Sequence, residues 1–166
     1  MKKHGDKALG KVMRFAVNGA ITLFAATAAA IAVMLICGIR LYVVRTGSME
    51  PEIKTGSLCF VDHRAELSSI KRGDIITFST SDGTAVTHRA VRTENGSIIT
   101  KGDANNAEDE NAVTSDNFIG ICIFNIPQLG KAVQFLRSPW GIAASMSMIV
   151  LLISADQLID KKKSSE

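Results

Sequence analysis

From Phe15 to Ile39 the chain runs for 25 residues without a charged side chain, FAVNGAITLFAATAAAIAVMLICGI. At about 1.5 Å per helical residue, such a run is long enough to cross the roughly 30 Å hydrocarbon core of a bilayer. The segment is expected to be a transmembrane helix, so whatever else folds must fold beside a membrane. A cleaved signal peptide is the rival reading. Lys2, Lys3, Lys7, Lys11 and Arg14 would be its basic n-region, and Ala26-Thr27-Ala28 has the small-x-small form of a cleavage site. The apolar run exceeds the roughly 7–15 residues of an h-region and continues through Val33-Met34-Leu35-Ile36, which favours an uncleaved anchor.

A second uncharged stretch, Ser138 to Ala155, has 18 residues, near the lower limit for a span. Pro139 suits a first helical turn, Trp140 suits the interface belt, and Lys161, Lys162 and Lys163 follow. A buried C-terminal helix is the plainer reading. The basic cluster after an apolar run instead favours a second span with both ends cytoplasmic, by the positive-inside rule. Residues 1–39 carry five Lys/Arg against one Asp, whereas residues 40–137 carry eleven Lys/Arg against twelve Asp/Glu. The net charge of +3 is therefore topological. The expected organisation is a cytoplasmic N-terminus at 1–14, a transmembrane helix at 15–39 and an extracytoplasmic domain at 40–137. A second transmembrane helix at 138–157 and a cytoplasmic basic tail at 158–166 complete it.

The middle region is mainly β in pattern. Apolar and β-branched runs recur at 41–44, 57–61, 74–78, 85–91, 97–100 and 118–126, punctuated by Gly56, Gly73, Gly83 and Gly96. Asn95-Gly96 between two such runs is a hairpin signal, ranked above the reading of Asn95-Gly96-Ser97 as a glycosylation acceptor. Residues 127–137 read as a short amphipathic helix with Leu129, Val133 and Leu136 near one face. The near-neutral region lacks a basic patch with interleaved aromatics, which argues against nucleic-acid binding. Neither Cys37, Cys59 and Cys122 nor His4, His63 and His88 have metal-ligand spacing. Cys59 and Cys122 would share the oxidising side and could pair, but their apolar neighbours suit buried thiols at least as well.

Within this region, RTGSMEP at 45–51 sets Ser48 between Gly47 and Met49. A serine beside glycine is ordinarily a turn residue, and Gly47 suits close backbone approach or an unusual φ/ψ. A serine nucleophile would need a base and donors for an oxyanion. His63 and His88 sit in matching His-Arg-Ala strings. His63 lies in a polar, loop-like setting. His88 lies in an alternating run that puts Val86, His88 and Ala90 on one strand face, and a strand holds an imidazole more rigidly than a loop does. Asp103, Glu108, Asp109, Glu110 and Asp116 offer a carboxylate to orient it, and their spacing lacks the glycine and terminal glutamate of an EF-hand loop.

TGSMEP, RGDIITF, HRAV and KGDANNAED follow one another in the order and approximate spacing of the type I signal peptidases. They resemble the endoplasmic-reticulum-type branch, which includes catalytic subunits of eukaryotic signal peptidase complexes, archaeal enzymes and some Gram-positive bacterial enzymes. The likeness runs from about Val43 to Gly120. In the common bacterial enzymes a lysine stands as base on the strand after the GDIVxF box. Here that position is His88, and His63, which precedes the box, has no counterpart. The resemblance implies Ser48 as nucleophile, His88 as general base and an aspartate of the KGD segment as acid. Asp109 is preferred for that role and Asp103 as a supporting residue, with the two open to exchange. It also implies an oxyanion site from the Ser48 N–H and Thr46, where the family often has serine; the extra methyl leaves the role of Thr46 open. Arg72-Gly73-Asp74 opens a strand in this box rather than forming an adhesion motif.

The expected fold class is thus a small extracytoplasmic β domain of signal peptidase type, flanked by an N-terminal and a C-terminal transmembrane helix. The implied activity is that of a membrane-anchored serine endopeptidase removing signal peptides after small residues. Its partners would be secretory preproteins with A-x-A-like sites, the lipid bilayer and the protein secretion machinery, with no cofactor or metal. The other reading is a noncatalytic β-domain subunit or adaptor of a secretion complex.

Overall fold

The structure is a computed structural model, which describes residues 2–164. Ser165 and Glu166, the end of the expected basic tail, lie outside the described residues. The chain divides into two compact units, one of Met1–Val33 with Phe135–Glu166 and one of Met34–Gln134.

The first unit is helical. Helix α1 runs over Lys2–Ile36, and within it Arg14–Ile36, 23 residues, is long and apolar enough to cross a membrane. Phe15, Leu23, Phe24 and Val33 are exposed along it, which suits a surface covered by lipid rather than water. The C-terminal helix covers Pro139–Ser164, and Pro139–Leu151 is its apolar stretch among the described residues.

The second unit is a six-stranded antiparallel sheet of β1 (Ile39–Val43), β2 (Leu58–Asp62), β3 (Ile75–Ser79), β4 (Ala85–Glu94), β5 (Ser97–Lys101) and β6 (Phe118–Ile126). The spatial order is β1-β2-β6-β3-β4-β5, so the last strand in sequence is inserted between the second and the third. Each expected apolar run forms a strand, displaced by no more than a few residues. β4 and β5 meet at Asn95 (φ 49°) and Gly96 (φ 80°), the two left-handed positions that a tight two-residue hairpin requires and that Asn-Gly supplies at little steric cost.

Two apolar clusters stabilise the sheet. One gathers Ile70, Ile76, Phe78, Ala90, Ile98 and Val113, and the other Met49, Ile53, Cys59 and Val61. Cys59 and Cys122 are free thiols with Cys122 packed against the second cluster; the adjacent Cys122 sulfur and burial hold the Cys59 thiol well above its ordinary pKa. The expected amphipathic helix forms as α2 (Leu129–Arg137). Leu129 and Leu136 are exposed, and the buried residue is Gly130. A Cβ on Gly130 would lie 2.7 Å from the carbonyl oxygens of Gly56 and Ser57, so the helix approaches the sheet by its backbone and not by an apolar stripe.

Candidate active site

Ser48 sits in the loop between β1 and β2. Its neighbour Met49 is 1% exposed and Ile53 is fully buried, and burial of each side chain contributes about 1.5–3 kcal/mol to holding the segment down. The Glu50 N–H donates to the Gly47 carbonyl (3.0 Å) and the Ile53 N–H to the Met49 carbonyl (2.8 Å), closing the turn. The serine is thus a turn residue whose hydroxyl stays accessible while its successor is buried. Gly47 does not have the unusual conformation expected of it. Its φ is not left-handed, and an added Cβ would meet the Glu50 side chain at 3.4 Å, close to ordinary contact.

The glycine that does permit close approach is Gly102. A Cβ there would stand 2.6 Å from the Ser48 carbonyl oxygen, which accepts a hydrogen bond from the Ala104 N–H at 2.8 Å. The segment after β5 therefore clasps the backbone of the serine. It returns to β5 at Asp109, whose N–H donates to the Thr100 carbonyl at 2.8 Å.

His88 lies on β4 with Ala90, on the buried face the alternation gives it, and is 7% exposed. Its ring meets the edge of Phe78 at a centroid distance of 6.1 Å. Its Nε2 is 3.1 Å from Ser48 Oγ and its Nδ1 is 2.6 Å from Asp109 Oδ2. With the proton on Nδ1, that nitrogen donates to Asp109 and the Nε2 lone pair faces the serine hydroxyl. Asp109 Oδ2 also accepts from the Thr100 hydroxyl at 2.6 Å.

Asp103 is placed elsewhere. Arg89 donates to both its oxygens, from Nε at 2.8 Å and from Nη2 at 2.7 Å, and a third donor, Nη1, reaches the Gly73 carbonyl at 2.8 Å. This forked pair raises the arginine above its ordinary pKa and ties the KGD segment to β4 on the face opposite His88. Asp74, the last residue of the RGD tripeptide, accepts from the Lys71 N–H at 2.8 Å at the turn into β3.

Thr46 Oγ1 lies 3.3 Å from Ser48 Oγ. Among the described residues the Ser48 N–H donates to no acceptor, so it remains available to a ligand. His63 is not brought to this place. Its Nε2 is 3.1 Å from the Tyr42 hydroxyl, the rings stack at 5.8 Å, and burial, then the charge of Arg40, lowers its pKa. Thr100 and Gly102 went unread in the sequence: a threonine at the end of a strand and a glycine before aspartate carry no local mark of their partners.

Residues 16–106 match the family described as signal peptidase, peptidase S26. That span includes Ser48, His88 and Asp103 and ends three residues before Asp109. Signal peptidase I W of Bacillus subtilis (strain 168) is 44% identical over 84 residues, 48% of this chain and 44% of that protein's length. Signal peptidase complex catalytic subunit sec11 of Sclerotinia sclerotiorum is 29% identical over 124 residues, covering 67% of this chain and 72% of the subunit. The corresponding subunit of Colletotrichum graminicola is 28% identical over the same length.

Proposed function

The chain belongs to the signal peptidase family S26, and from that premise we propose that it is a membrane-anchored serine endopeptidase that removes N-terminal signal peptides from secretory preproteins. The observation that carries this reading is the placement of His88 between Ser48 Oγ and the Asp109 carboxylate, beside an unengaged Ser48 N–H. The alternative of a noncatalytic adaptor gives no reason for those three side chains, drawn from 48, 88 and 109, to converge.

In the proposed reaction, Ser48 Oγ attacks the scissile carbonyl carbon while His88 Nε2 takes the hydroxyl proton. Asp109 holds the ring through Nδ1–H and stabilises the imidazolium that forms. The developing oxyanion is met by the Ser48 N–H, with Thr46 Oγ1 positioned as a second donor. His88 returns the proton to the leaving amine, and a water activated by the same imidazole hydrolyses the acyl-enzyme. Arg89–Asp103 and the Ala104 N–H serve to position these groups. None of these steps draws on a metal or an organic cofactor.

Helix α1 would anchor the protein in the bilayer that also holds the substrate's signal helix, with the β domain on the extracytoplasmic face. A second span at 138–157, cytoplasmic ends at 1–14 and 158–166, and contact with the secretion machinery belong to the same proposal. The likeness to subunits of fungal signal peptidase complexes supports the last of these. The test is the purified protein in proteoliposomes with a labelled preprotein. The expected product is a mature chain beginning after a small residue, and phenylalanine in place of that residue is expected to block cleavage. An intact preprotein under conditions where a known signal peptidase cuts it would overturn the proposal.

The clasp on Ser48 has its own expected outcome. Gly102→Ala would push the loop from the Ser48 carbonyl, and a shift of about 1 Å in a reacting group costs about a hundredfold in rate. We expect that loss in kcat, with a stability decrease of about 1–3 kcal/mol from overpacking. Steady-state kinetics and thermal unfolding check both; wild-type kcat in Gly102→Ala would show that the clasp does not set the nucleophile's position.

A further inference from the structure

We propose that Thr100 is a positioning residue for the reaction, acting through Asp109; the proposal rests on the serine-endopeptidase reading of the site. Thr100 is fully buried near the end of β5, paired across from Ala90 of β4. It holds Asp109 at two points. Its carbonyl accepts the Asp109 N–H at 2.8 Å, and its hydroxyl donates to Asp109 Oδ2 at 2.6 Å. The same oxygen accepts from His88 Nδ1, also at 2.6 Å.

Asp109 follows a long irregular stretch after β5, a setting that leaves a carboxylate several rotamers unless something selects one. The backbone contact fixes where the residue starts, and the hydroxyl fixes which way the carboxylate turns. With the hydroxyl proton committed to Oδ2, that oxygen stays in the plane of the imidazole when the ring becomes charged. Without it, one of two donors to a half-buried carboxylate is lost, and the carboxylate is free to rotate from Nδ1 toward water.

A hydrogen bond to a charged group is worth about tenfold to a hundredfold in an equilibrium or a rate. Thr100→Val keeps the shape and the β preference and removes the hydroxyl; Thr100→Ala removes it with less volume; Thr100→Ser retains it. In preprotein processing, Val and Ala are expected to lower kcat by about tenfold to a hundredfold with KM within about twofold, and Ser to restore kcat to within about threefold of wild type. Because Thr100 acts through Asp109, Thr100→Val added to Asp109→Asn is expected to cost less than about threefold. Wild-type kcat in Thr100→Val, or a Ser variant as slow as Val, or full additivity with Asp109→Asn, would overturn the role of the hydroxyl. Ser48→Ala is run alongside: if it stays active, the reading of the site itself falls, whereas an inactive Ser48→Ala beside a fully active Thr100→Val removes only this proposal. Should Val fold poorly, the Ala and Ser pair carries the same comparison.

Discussion

Ser48→Ala is expected to lower kcat for signal removal about a millionfold, and adding His88→Ala to it is expected to cost nothing further. The reason lies in the 3.1 Å contact between Ser48 Oγ and His88 Nε2. In the proposed reaction the imidazole takes one particular proton, and once the hydroxyl that carries it is gone the ring has no task. The two substitutions therefore do not add, whereas two independent supports of binding would. What remains in Ser48→Ala is the rate supplied by substrate positioning and the oxyanion donors. Single-turnover processing of a labelled preprotein, with thermal unfolding to show that the β domain is intact, measures both quantities. A Ser48→Ala protein that still processes at a tenth of the wild-type rate would mean that the nucleophile is some other group.

Asp109→Asn should cost about ten-thousandfold in kcat while the domain folds normally. The substituted side chain has the same shape, and its carbonyl oxygen can still accept from the Thr100 hydroxyl. Its NH2 group would then face His88 Nδ1. A donor there favours the tautomer in which Nδ1 accepts and Nε2 bears the proton, so the lone pair that must receive the serine proton is absent. The neutral amide also leaves the imidazolium without its counter-charge. Asp103→Asn is not expected to show this signature, because Asp103 faces Arg89 at 2.7 Å and 2.8 Å and not the histidine. A kcat for Asp109→Asn within about tenfold of wild type would remove Asp109 from the role proposed for it.

The strands were legible in the sequence because each carries its own signal: alternation in AVTHRAV, β-branched runs in SIIT and DIITF, and a glycine or Asn-Gly at the turns. The face on which His88 lies followed from the same alternation, and His88 is indeed buried with Ala90. The choice between Asp103 and Asp109 had no local signal. It depends on where the loop doubles back, which is fixed by the Asp109 N–H reaching the Thr100 carbonyl and by Arg89 capturing Asp103, contacts of tertiary origin. The same reason explains the two glycines. Gly47 stands next to the serine, while Gly102, 54 residues beyond Ser48, is the one whose missing side chain the Ser48 carbonyl requires. Helix α2 and its amphipathic pattern were legible, whereas the close backbone contact at Gly130 was not, because a glycine carries no mark of the carbonyls it meets.

The place of β6 in the sheet bears on when such a protein becomes active. β1 and β2 flank the serine's loop, while β3, β4 and β5 carry the histidine and lead to the aspartate. Every sheet hydrogen bond that joins these two groups of strands passes through β6. Ser48, His88 and Asp109 are all made before residue 118, yet a nascent chain that stops short of β6 holds the three groups on two separate pieces of sheet. For the proposed reaction the expected result is that a chain ending before Phe118 leaves a preprotein uncut, although it already contains Ser48, His88 and Asp109.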